Sequence, residues 1–204
     1  MGYAKSEDTK RKLLSTTSKL LRTHGYAATG VSQVLKESGV PKGSLYHHFP
    51  GGKVELAAEA VNFSNSFIAE RLELLVAASP DAASAFEAFC DFYSQSLIDT
   101  NFEKGCPIAT ITLEVATDVP AIRRRCDEGF ERILDIFRRE LVAEGADPRH
   151  AADVVTMALS AVEGALILCR AKQGIQPIMS IRDSVAQQIR NATADSAIED
   201  GTNA

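Results

Sequence analysis

The chain has 204 residues, and 22 basic against 27 acidic side chains leave a formal charge of −5. Apolar residues are 45% and charged residues 24% of the total, an ordinary globular balance that excludes a disordered polyelectrolyte. One large or two small domains fit the length.

The apolar stretch 154–169 falls short of the ~20 residues a membrane span needs and contains Glu163, so no membrane is expected. The first twelve residues lack an apolar core, so no secretory signal is expected and a cytoplasmic location is. Cys90, Cys106, Cys126 and Cys169 are far apart and read as reduced core thiols. Charge is unevenly placed. Residues 1–55 hold nine basic and four acidic side chains, and the remainder holds thirteen and twenty-three. A basic head on an acidic body points to a polyanion partner for the head.

Apolar residues recur at helical spacing throughout, with no sustained alternation, so the fold class is all-α with nine helices. Leu13, Leu14, Thr17, Leu20 and Leu21 stripe a first helix, opened by Ser6 and closed by Gly25. Val31, Val34, Leu35 and Ser38 give a short second helix, stopped at Gly39. Pro41 opens a third, to about His48. Pro50, Gly51 and Gly52 break the chain, and Lys53 to Ala78 reads as one long helix. Later helices start at Asp81, Cys106, Pro120, Pro148 and Pro177 and end near Asp99, Thr117, Gly145, Gly174 and Asn191. The resulting domains are a helix-turn-helix over 1–52, a helical body over 53–193 and a flexible tail over 194–204.

Helices two and three around Gly39 form a helix-turn-helix, with Val34, Leu35, Val40 and Leu45 packing on the leucines of the first helix. Lys42, Gly43, Ser44, Tyr46 and His47 then lie outward, a set suited to a major groove. His47 and His48 are adjacent and point about 100° apart, so a metal site is not expected.

The run from Gly25 to Val31, the run from Ser38 to Phe49, and Lys53 with Leu56 closely resemble the DNA-binding head of TetR-type transcriptional repressors. The Pro-Gly-Gly-Lys loop at 50–53 and the segment Lys104 to Ile108 resemble the LmrA/YxaF-like branch of that family. The resemblance implies a homodimer, operator DNA as partner of the head, and release of DNA when the body binds a small-molecule effector. It implies operator contacts from Thr29, Lys42, Gly43, Ser44, Tyr46, His47 and Lys53. Gly30 replaces a frequent second threonine of the family, removing one hydroxyl. Gly51 and Gly52 leave the first amides of helix four open to a phosphate.

In the body, Phe63, Phe67, Phe89, Phe92 and Tyr93, with Cys106, Thr110 and Leu113 of helix six, are the expected lining of an effector site. Ser94, Thr112 and Glu114 are further polar candidates. Helix eight is apolar nearly all round, and with helix nine it is the expected dimer seam, through Val154, Ala158, Ala161, Gly164, Ala165, Ile181 and Val185. No cofactor, metal ligand or catalytic residue is expected. The alternatives are a thiol-based redox regulator using Cys106 at a helix start, or a helical small-molecule-binding protein or enzyme.

Overall fold

The computed structural model describes residues 2–115 and 119–200. Among the described residues there are nine helices and no strand: α1 (Gly2–Ala28), α2 (Val31–Ser38), α3 (Lys42–His48), α4 (Gly52–Ala78), α5 (Ala82–Asp99), α6 (Pro107–Val115), α7 (Pro120–Ala143), α8 (Pro148–Lys172) and α9 (Gln176–Asp200). The expected end of helix six at Thr117 lies outside the described residues.

Two boundaries differ from expectation. Helix α1 starts at Gly2, so Ser6 is inside it rather than its cap; no glycine or proline intervenes between Tyr3 and His24 to stop the helix. Helix α9 continues to Asp200, through the segment read as a tail, because no breaker follows Asn191 before Gly201.

The chain divides into two compact units, residues 1–67 with 106–130, and residues 68–105 with 131–204. The first unit is larger than the head expected at 1–52, because α6 packs on α1 inside it. Its core is Leu13, Leu20, Val34, Val40, Leu45, Phe49 and Leu56, flanked by Leu14, Val31 and Leu35. This matches the small three-helix core expected from the apolar spacing. Gly39 ends α2 at φ 66°, the left-handed conformation that glycine adopts without penalty, and its amide donates to the Leu35 carbonyl. Pro41 precedes α3 with φ −61°, and its carbonyl accepts from Ser44 and Leu45. Where α4 crosses α7, a Cβ on Gly129 would fall 2.5 Å from Asn65 Oδ1, so only glycine allows the approach. The buried Asn65 donates through Nδ2 to the Arg125 carbonyl at 2.7 Å.

The second unit is built on α5, α8 and α9. Asp81 caps α5, its carboxylate accepting from the Ser84 amide at 2.6 Å, and Asp147 caps α8 by accepting from Arg149 and His150. Phe86, Phe89, Tyr93 and Phe137 interlock in its core, with Phe89 and Tyr93 edge-to-face at 5.0 Å between centroids. Arg182 of α9 reaches Asp91 and Glu87 of α5, and Arg190 reaches Glu87.

Candidate nucleic-acid interface

Helix α3 is seven residues long and buries one of them, Leu45. Lys42, Gly43, Tyr46 and His47 are exposed, and Ser44 is half-buried. Tyr46 is 45% exposed, unusual for a large aromatic side chain with a three-helix core beside it. A Cβ on Gly43 would meet nothing within 4 Å, so no neighbour in the protein requires glycine there. A missing side chain at the start of an exposed helix lets another molecule approach the backbone closely. The exposed set combines an ammonium, a phenol, an imidazole and a hydroxyl, which offer donors to base edges and phosphate oxygens.

At the edges of this surface, two of the expected residues have partners inside the protein. Thr29 is buried, and its hydroxyl donates to the Gly25 carbonyl at 2.6 Å, so it closes a turn instead of facing outward. Lys53 is half-buried; its ammonium donates to the Ala27 carbonyl at 3.3 Å and sits 4.4 Å from the centre of the Tyr26 ring. At the start of α4 the two glycine amides are engaged within the protein. The Gly51 amide donates to Glu55 Oε2 at 2.6 Å, and the Gly52 amide donates to the Phe49 carbonyl at 2.9 Å. Local partners four and three residues away satisfy those groups first. Gly30 caps α2 with no side-chain hydrogen bond, and space is open around it.

Residues 13–60 match the family described as bacterial regulatory proteins, tetR family, and residues 82–184 match the C-terminal domain of LmrA/YxaF-like transcriptional regulators. The chain is 30% identical to the HTH-type transcriptional regulator LmrA of Bacillus subtilis over 183 residues, covering 90% of this chain and 97% of LmrA. It is 32% identical to YxaF of the same organism, covering 90% and 96%. The chain belongs to the TetR family. It is a DNA-binding transcriptional regulator with a helix-turn-helix, and it is not an enzyme. The fold of a TetR transcriptional regulator from Legionella pneumophila superposes with a TM-score of 0.78, at 20% identity, over 87% of this chain and 95% of that one.

For the effector lining expected from sequence, this TetR-family chain divides the residues between its units. Phe63, Phe67, Cys106, Thr110 and Leu113 belong to the first, and Phe89, Phe92 and Tyr93 to the second. Phe67 is 59% and Leu113 79% exposed, whereas Cys106, Phe89 and Tyr93 are buried. The polar candidates are largely engaged. Thr110 donates to Cys106 O, Thr112 to Ile108 O, and Ser94 to Cys90 O, each within its own helix or its start. Glu114 is bound to backbone amides of the head.

Several residues of the expected dimer stripe face into the protomer. Val154, Ala158, Ala165 and Val185 are buried within the protomer, because α8 packs on α9 and α5 along that face; Ile181 and Ala161 are half-buried. The outward face of α8 carries Met157, Gly164, Ile167 and Leu168. At 25 residues, α8 is long and apolar enough to cross a membrane by length and composition, contrary to the shorter stretch counted from sequence. Its inward half is a core face of the second unit.

All four thiols are buried. Burial pushes the Cys90 thiol up to about 12, and pushes those of Cys126 and Cys169 upward as well. A thiol held protonated is a poor nucleophile, which counts against the redox alternative at these three positions.

Proposed function

We propose that the protein is a homodimeric repressor that reads a near-palindromic operator with α3 and leaves it when a small apolar or aromatic molecule binds its C-terminal helices. The observation that carries the operator reading is the outward face of α3. Lys42, Gly43, Tyr46 and His47 are exposed outside the head core, and the surrounding residues 1–55 are net basic. In this reading Lys42, Gly43, Ser44, Tyr46 and His47 contact DNA. Lys53 and Thr29 shape the segment leading into α2. A dimer sets two recognition helices about 34–36 Å apart, so that they meet successive major grooves on one side of the duplex.

The outward apolar residues of α8 support the dimer, since contiguous exposed apolar side chains mark interaction surfaces. Aromatic residues and exposed Phe67 and Leu113 support an apolar effector. The site of action is the cytoplasm, where the operator is.

Sequencing the genomic fragments retained by purified protein tests the reading. A palindromic motif shared by those fragments, with affinity falling steeply as salt rises, is the expected result. Retention of random fragments with no shared motif refutes it.

A further inference from the structure

The backbone breaks at Gly25 (φ 78°, ψ −178°), inside α1. Only glycine adopts this conformation readily. The break strips the following amides of their acceptors one turn back, as at any helix start. Both are taken by one carboxylate from α6. Tyr26 N donates to Glu114 Oε2 at 2.5 Å, and Ala27 N donates to Glu114 Oε1 at 2.7 Å. A Cβ on Gly25 would fall on that carboxylate, so the glycine supplies both the backbone angle and the room. The pairing is two-pronged and charge-assisted, the stronger class of hydrogen bond, and it places an acid where a helix start favours one.

The same turn is held from its other side. Lys53 of α4 donates to Ala27 O and covers the Tyr26 ring, and Thr29 donates back to Gly25 O. Every fastening falls between Gly25 and Thr29, the residues immediately before Gly30 caps α2. The direction in which the chain leaves this turn sets how the α2–α3 pair lies against α1. A shift of α6 must therefore carry the turn with it or release the two amides.

We propose that Glu114 is a positioning residue for operator binding: its carboxylate, clasped on the Tyr26 and Ala27 amides, holds α2 and α3 in the DNA-reading arrangement without touching DNA. This rests on the operator-binding reading above. An ordinary helix cap would stabilise the fold and leave discrimination between operator and random DNA unchanged. A positioning residue alters that discrimination, because the fraction of protein in the competent arrangement multiplies the specific affinity.

The test combines Glu114→Gln, which keeps shape but offers one acceptor in place of two, with amide hydrogen exchange on the wild-type protein. Glu114→Gln should bind operator about tenfold more weakly while its affinity for random duplex stays within about twofold. The Tyr26 and Ala27 amides should exchange at least about tenfold faster in the variant. In wild type, operator DNA should slow exchange at those two amides further, since coupling between sites is reciprocal. Unchanged operator affinity, equal loss on operator and random duplex, or wild-type amides that exchange no more slowly with operator bound would each overturn the role. The wild-type measurement stands even if the variant fails to fold. Protected amides in a wild-type protein that prefers no genomic sequence would overturn the operator reading, and the positioning role with it.

Discussion

Gly164→Leu separates the interior of the protomer from its partner surface. Gly164 is exposed on α8, and a Cβ there would meet nothing within 4 Å. Its outward neighbours Met157, Ile167 and Leu168 are 41%, 56% and 51% exposed. Inside the protomer the substitution should be favourable by about 0.5–1 kcal/mol, because leucine is the better helix former in a helix interior. In a two-fold interface it occurs twice. Overpacking costs about 1–3 kcal/mol per site, so the dimer should lose about 2–6 kcal/mol. That raises the dissociation constant by about thirtyfold or more. Sedimentation velocity over a range of concentrations should find monomer where the wild type is dimer. The unfolding midpoint of the wild type should depend on concentration and that of the variant should not. A variant that remains dimeric at the same concentrations would refute a seam through Gly164. A variant with reduced helix content would refute the open space around it.

Three further outcomes follow from particular contacts. Lys42→Ala should weaken operator binding and also change base preference, because Lys42 is exposed at the start of α3; equal loss on operator and random duplex in a binding titration would make it a backbone contact only. Cys90 should resist iodoacetamide in the native protein at pH 7.5 and label fully after denaturation, since burial holds its thiol up at about 12; rapid native labelling, read by mass spectrometry, would contradict the burial. The Ser84 backbone amide and hydroxyl hold the Asp81 carboxyl below the usual carboxylate range, so its contribution is present above its ordinary value of 3.8 and is lost as pH falls through the lower folded value. Asp81→Ala should therefore cost about 0.5–2 kcal/mol in urea unfolding at pH 7, and the gap from wild type should close as pH falls through that lowered value; a gap independent of pH would rule out the carboxylate as its source.

What was legible in the sequence was whatever depends on neighbours along the chain. Gly39 and the prolines at 107, 120 and 148 mark helix ends because their effect on φ or on an amide is local. The head core was legible for the same reason, since Leu13 with Leu20 and Val31 with Val34 and Leu35 repeat at helical spacing. The side of α8 that faces into the protomer was not. A helix apolar all round has no face until its neighbours cover one, and α5 and α9 cover the side with Val154, Ala158 and Ala165. Thr29 and Lys53 carry polar groups that fit a phosphate or a nearby carbonyl, and in this structure each donates to a carbonyl, of Gly25 and of Ala27.

Glu114 shows most clearly where local reading stops. In the sequence it is one polar residue on a short apolar helix, a plausible anchor for a ligand. Its partners lie 88 and 87 positions earlier, at a glycine break that itself looks like an ordinary helix end. The boundary placed at residue 52 followed the break in the chain at Pro50, Gly51 and Gly52, and packing does not follow it: α6 and the first part of α7 share a compact unit with the head. The Glu114 contact explains why that grouping matters. Whatever displaces α6 acts inside the unit that reads DNA, on a turn fixed by two amides, one carbonyl and one aromatic ring, so a small displacement there has no slack in which to be lost.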